Sequence, residues 1–327
     1  MSIPLSVLDL AYIGEDFTPG DALRNSRDLA RNVERFGYKR FWLAEHHNLA
    51  GIASAATSVC IGYVAEATST IRVGAGGIML PNHSPLVIAE QFGTLASLYP
   101  GRVDLGLGRA PGTDQRTMQA LRVNPQAAEY FPNDVVELQA LLGPVRENQV
   151  IHAVPGEDTN VPLWILGSSL YGAQLAAMLG LPYAFASHFA PAALMQAIQV
   201  YRERFEPSAQ LDKPYVMVGM SAVVAETEDE AAYLFTTPQQ QFTNMVRGTR
   251  GKMRKPIPDI EDYWSPMEKA QAMAMLQCAF VGTPKTVREK LDAFIETIGA
   301  DELMVASAIW EHDKRVRSYE LLAEAMA

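Results

Sequence analysis

Short apolar runs that stop at polar or glycine-rich clusters recur along this chain. FWLA precedes Glu45, His46 and His47, and IML precedes Pro81 and Asn82; VDLGLG precedes Arg109, LWIL precedes Gly167, Ser168 and Ser169, and YAFA precedes Ser187 and His188. This pattern limits the fold more than any other feature, because buried parallel strands linked by helices read as continuous short apolar runs. In parallel α/β folds the carboxyl ends of the strands share one rim, where residues distant in sequence converge on one ligand. That rim is the candidate active site.

Strand-like and helix-like segments alternate along nearly the whole chain. Strands are predicted near residues 5–10, 40–44, 71–80, 103–107, 163–166, 183–186, 216–224 and 302–307. Between them lie helical patterns such as 21–36, with Leu23, Leu29, Ala30, Val33 and Phe36 on one stripe, and the alanine-rich 54–67. Eight β/α units in 327 residues are the profile of a (β/α)8 TIM barrel, with a doubly wound sheet as runner-up because strand order is not readable from one sequence. One domain over residues 1–327 is expected, with two interruptions. Residues 145–161 read as a loop or small hairpin. Residues 235–277, inserted after the seventh strand, carry TTPQQQF, the basic RGTRGKMRK and PIPDIEDYWSP, and read as a lid or binding loop or as a helical excursion on the barrel exterior.

Composition excludes several classes. The chain has no uncharged apolar stretch of the roughly eighteen or more residues that would span a bilayer. Its first residues lack the basic region of a secretory signal, and Cys60 and Cys278 form neither a disulfide framework nor a zinc motif, so a soluble, cytoplasmic protein is expected. A net charge of −10 argues against a nucleic-acid surface. Adjacent histidines on a strand face opposite ways and HExxH is absent, so His46 and His47 predict no metal site. An imidazole at the strand end can instead act as a general acid or base, or hydrogen-bond backbone. The glycines of VGAGGIMLP mark a bulge or a ligand pressed against backbone. A helix start at Gly167, Ser168 and Ser169 together with Arg109 makes a phosphate cradle; separately, the arginine could pair with an acid and the serine could be an N-cap. His188 could face a cofactor or a substrate.

The segments FWLAEHH, IRVGAGGIMLPNHSPLVIAEQFGTLASLYPGRVDLGLGRA and LWILGSS, in that order, closely resemble the bacterial luciferase-like flavin-dependent monooxygenases, and VGTPKTVREKL through RSYELLAEA also fits. The resemblance implies FMN as cofactor, O2 and a small organic molecule as substrates, and a homodimer. It implies that His46 assists proton transfer beside the isoalloxazine ring. Glu45, Gly76, Gly77, Arg109, Gly167, Ser168, Ser169 and His188 then belong to the cofactor site, with a cis peptide joining Gly76 to Gly77 and Arg109 as the cation for the ribityl phosphate. Gly108 stands where the luciferases carry a reactive cysteine, so light emission and long-chain aldehydes are not expected. No GxGxxG follows a strand and opens a helix, which predicts a separate NAD(P)H-dependent flavin reductase. Two other readings are an oxidoreductase using the deazaflavin F420 and a non-catalytic flavin-binding accessory protein.

Overall fold

The computed structural model describes residues 3–110, 114–249 and 251–327. Its strands are β1 (Leu5–Asp9), β2 (Arg40–Leu43), β3 (Arg72–Met79), β4 (Val103–Gly108), β5 (Leu163–Gly167), β6 (Tyr183–Phe185), β7 (Val216–Val224), β8 (Ala279–Gly282) and β9 (Glu302–Ala306). All pairings between them are parallel. Eight strands close into a (β/α)8 barrel in which β6 pairs with β7, β7 with β9 and β9 with β1; β8 pairs only with the second half of β7. The eight predicted strands are the eight of the barrel. The ninth was not predicted, because four residues following the apolar AMAML are indistinguishable from the end of a helix.

The helices are α1 (Pro19–Arg35), α2 (Thr57–Ala65), α3 (Pro85–Leu98), α4 (Gln115–Ala120), α5 (Ala127–Leu142), α6 (Leu170–Met178), α7 (Leu194–Glu203), α8 (Glu228–Val246), α9 (Pro266–Met275), α10 (Pro284–Ile298) and α11 (His312–Met326). Capping fixes several starts. Thr18 and Asp21 form a capping box on α1, and Ser265 and Glu268 form another on α9. Among the described residues no helix is long and apolar enough to cross a membrane.

Side-chain alternation separates two cores. Leu8, Trp42, Ala44, Trp164, Ala184, Met217, Met304 and Ala306 fill the barrel, whereas Val7, Phe41, Leu43, Val73, Ala75, Leu105 and Ile165 pack outward under the helices. Trp42 and Trp164 meet edge to face at 5.2 Å. β3 gives them room: a Cβ on Gly74 would lie 3.0 Å from Trp42 Nε1, and one on Gly76 would lie 2.7 Å from Leu8 Cδ1. Gly74 and Gly76 of VGAGGIMLP thus first supply the volume that the Trp42 indole and Leu8 need.

At the amino end of the barrel, Arg40 is the hub of a buried ion network. Its guanidinium bonds Glu302 Oε1 at 2.6 Å and Asp104 Oδ2 at 2.8 Å and lies 4.7 Å from the Trp164 ring centroid. Arg72 adds a second cation on Asp104, and Tyr215 donates to Glu302 at 2.7 Å. Burial alone would raise the Glu302 pKa, yet Arg40, Lys39 and Ser6 hold it below the usual carboxylate range.

Of the readings offered for 235–277, the helical excursion is the one seen: the end of α8, a loop and α9. Residues 235–246 complete α8, and Leu234, Phe235, Phe242, Trp264, Ala272 and Leu276 build a satellite core with Ile309. Pro238 and the polar TTPQQQ obscured this helix in the sequence, since proline removes a helical N–H. The loop docks on the carboxyl rim, where Met253 N–H donates to Ile13 O at 2.9 Å and Glu15 N–H donates to Met253 O at 2.8 Å. Arg250 of the basic run lies outside the described residues.

Candidate active site

Ladder bonds carry β2 beyond Leu43. Ala44 N–H donates to Asp9 O at 3.3 Å and Glu45 N–H to Gly77 O at 3.2 Å. Because Trp42 and Ala44 point into the barrel, the same alternation directs His46 toward its mouth and Glu45 to the outer side. Glu45 is buried, and four groups approach it: Met79 N–H at 2.9 Å and Asn82 Nδ2 at 3.3 Å, with His83 Nε2 at 2.9 Å and His47 Nε2 at 2.6 Å. Burial would raise the Glu45 pKa, but His83, His47 and the Met79 N–H outweigh it and keep the carboxyl below its ordinary value. The resemblance assigns Glu45 to the cofactor site; the structure aims its carboxylate into the turn between β3 and α3, where it ties the ends of β2 and β3 together.

The Gly76–Gly77 peptide is cis. Register with β4 shifts between Ala75 and Ile78, so the predicted bulge is present at these glycines. A Cβ on Gly77 would lie 2.7 Å from the Gly106 carbonyl oxygen, a backbone contact that only glycine permits. The rim here is backbone without side chains.

Arg109 follows β4, and the Gly167–Ser169 turn follows β5 and opens α6. These neighbours converge: the Arg109 guanidinium carbon lies 3.9 Å from the ring centroid of Tyr171, in the first turn of α6. Ser169 stands at the N-cap without forming a side-chain cap bond, and Arg109 is exposed and makes no ion pair among the described residues. The helix start therefore presents N–H groups uncovered by its own cap beside a cation. Tyr171 escaped the sequence reading because an aromatic near a helix start gives no signal until its partner is known.

His188 follows β6 and lies in the same mouth. Its Nδ1 is buried without a hydrogen-bond partner, and a Cβ on Gly219 would lie 2.5 Å from that atom. Burial, and then the charge of His46, push its pKa down to about 4, so the ring is neutral near pH 7. His46 and His188, from strands on different sides of the barrel, therefore share one environment. His83 and Gly219 were not singled out from the sequence, because each acquires meaning only from a partner on another strand.

A closed (β/α)8 barrel with histidines, a glycine bulge and a cation at its carboxyl rim is the architecture of a TIM-barrel enzyme. The chain belongs to the luciferase-like monooxygenase family, whose model matches residues 3–302. It is 52% identical over 321 residues to a luciferase-like monooxygenase of Escherichia coli strain K12, covering 98% of this chain and 96% of that one. The crystal structure of apo-MsnO8 superposes with a TM-score of 0.87 at 34% identity, over 99% of this chain and 98% of that one. Two structures at 16% identity share the fold. The oxygenating constituent of 3,6-diketocamphane monooxygenase from Pseudomonas putida, in complex with FMN, has a TM-score of 0.75 over 99% and 97% of the two chains. An F420-dependent secondary alcohol dehydrogenase has a TM-score of 0.73 over 100% of both.

Proposed function

We propose that this protein uses reduced FMN, delivered by a separate NAD(P)H-dependent flavin reductase, and O2 to oxygenate a small organic substrate. The observation that carries this reading is the convergence of Arg109 and Tyr171 on the start of α6, in a rim that also holds His46, His188 and the Gly76–Gly77 bulge. The residues fit the cofactor: Arg109, Ser168, Ser169 and the Gly167 turn would hold a phosphate, and the Gly76–Gly77 backbone would abut the ring. When bound, the flavin supplies electrons to O2.

The chain's own side chains do the rest. His46, directed into the mouth, gives or takes a proton at its imidazole, a role worth roughly a hundredfold to ten-thousandfold in rate. Neutral His188 leaves the wall uncharged. Glu45 fixes the strand end from which His46 projects. The FMN-bound and F420-dependent neighbours share the barrel equally, so support for the monooxygenase reading comes from the luciferase-like monooxygenase of Escherichia coli at 52% identity.

Oxygen consumption by the purified protein with FMN tests the proposal. Negligible NAD(P)H oxidation is expected alone, with oxygen-dependent turnover once a flavin reductase is supplied. His46→Ala should bind FMN normally and lose turnover by the factor above; loss of FMN with an unchanged saturated rate would make His46 a binding residue. Anaerobic bleaching of bound FMN by NAD(P)H at the rate of turnover would overturn the two-component assignment, and copurification of F420 would replace FMN.

A further inference from the structure

We propose that Glu45, His47 and His83 form a binding site for one divalent cation of the borderline class typified by Zn2+. The ligand atoms these residues offer all lie within 4.8 Å of one another. Two imidazoles and one carboxylate are the donors such ions select, whereas Mg2+ and Ca2+ prefer shells of oxygen. The expectation of no metal came from the adjacency of His46 and His47. The structure sets His46 aside and brings in His83 from the turn before α3, a ligand that no spacing motif announces.

The three donors already converge on one point through hydrogen bonds that an ion would replace. Glu45 Oε1 is approached by His47 Nε2 at 2.6 Å and by His83 Nε2 at 2.9 Å. Metal–ligand bonds of about 2.0–2.2 Å at tetrahedral angles place donor atoms roughly 3.3–3.6 Å apart, so an ion between them requires the His47 contact to widen by roughly 0.7–1.0 Å and the His83 contact by roughly 0.4–0.7 Å, which side-chain rotation at the partly exposed imidazoles can supply. Each imidazole would then present a lone pair at Nε2, its proton moving to Nδ1 or to solvent. Met79 N–H donates to the other oxygen, Oε2, at 2.9 Å and holds the carboxylate plane, as outer-shell partners do at metal sites.

Access is present on one side. The side chains of His47 and His83 are 19% and 29% exposed, against 1% for Glu45. Three protein ligands leave a fourth position for water or an exchangeable group. A bound ion would pin the end of β2 to the turn after β3, immediately beside His46. The site depends on no assumption about the flavin.

The test uses the full chain, treated with chelator and then titrated with Zn2+ by calorimetry and with Co2+ by visible absorption. One ion per chain is expected, with ligand-field bands of a low-coordinate nitrogen and oxygen site and a melting temperature that rises with Zn2+ concentration. His83→Ala and His47→Ala should each weaken binding by more than the roughly ten- to hundredfold that loss of an outer-shell partner costs. His152→Ala, which removes a histidine elsewhere on the surface, should leave it unchanged. His83→Gln keeps a donor to Glu45 and gives the same comparison if the alanine variant does not fold. Absence of stoichiometric binding, or equal affinity in the wild type and the His83 variants, would overturn the proposal.

Discussion

The two ends of the barrel treat buried polarity in opposite ways. At the amino end, Arg40, Arg72, Lys39, Asp104, Glu302, Tyr215 and Ser6 satisfy one another across strands β1, β2, β3, β4 and β9. At the carboxyl end, Arg315 and Asp9 pair at 3.2 Å through one nitrogen and one oxygen, but Asp9 Oδ2, His188 Nδ1, Ser307 Oγ and Arg315 Nε have no hydrogen-bond partner among the described residues. A buried group left without a partner costs about 1–3 kcal/mol, so these atoms favour water or a ligand that supplies one. The comparison teaches where stability and chemistry are separated: one end closes the barrel, and the other retains groups for something that binds.

The largest effect expected from breaking this division is at the amino end. Arg40→Ala strands Asp104 and Glu302, and losing one partner of a buried ion pair costs about 3–5 kcal/mol. Urea denaturation should register that loss; a change within about 1 kcal/mol would mean that Arg72 and Lys39 carry the network without it. At the carboxyl end, Arg109→Ala should leave the denaturation midpoint nearly unchanged while weakening FMN by about 1.5–3 kcal/mol, the worth of charge-assisted bonds. Riboflavin, which lacks the phosphate, should be almost unaffected. Equal losses for both ligands would remove the cradle and blur the contrast between the two ends.

A smaller effect follows from His188. Its folded pKa, down to about 4, lies below the ordinary imidazole value of 6.5 that applies when unfolded. Between these values the unfolded chain binds the extra proton, so stability rises with pH, is complete above about 6.5 and declines as pH falls toward about 4. His188→Gln should flatten that part of the stability profile, and an NMR titration should find the wild-type ring neutral at pH 6. A midpoint near the ordinary imidazole value would place the ring in water. Smallest of all, Gly219→Ala should displace the ring and move its midpoint toward that of a solvated histidine, because the new methyl would lie 2.5 Å from Nδ1.

Much of the scaffold was legible because burial on both faces makes barrel strands continuous apolar runs, as in VDLGLG and LWIL. The rim positions were legible for the same reason: Arg109 is the first polar group after VDLGLG, and His188 follows Ser187 directly after YAFA. Relations between strands were not. Nothing in PNHSP announces that His83 reaches Glu45, and Tyr171 beneath Arg109 looks like any helical aromatic. Local composition around Pro238 left helix and loop both open, and the helix forms with Leu234, Phe235 and Phe242 packed into a satellite core. Tertiary contact there overrides propensity.

The handover along β7 has one more consequence. Tyr183 N–H bonds Tyr215 O, Ser187 Oγ bonds Gly219 O, and Ser221 N–H bonds Cys278 O, so one edge of β7 serves β6 first and β8 afterwards. Gly219, between the two partners, is where His188 is seated. The unit made by α8, α9 and β8 is therefore spliced onto the barrel at a seam rather than woven into its closure. That unit can change while the eight-strand ring keeps every one of its pairings, so a barrel of this kind can vary along one side without relearning how to fold.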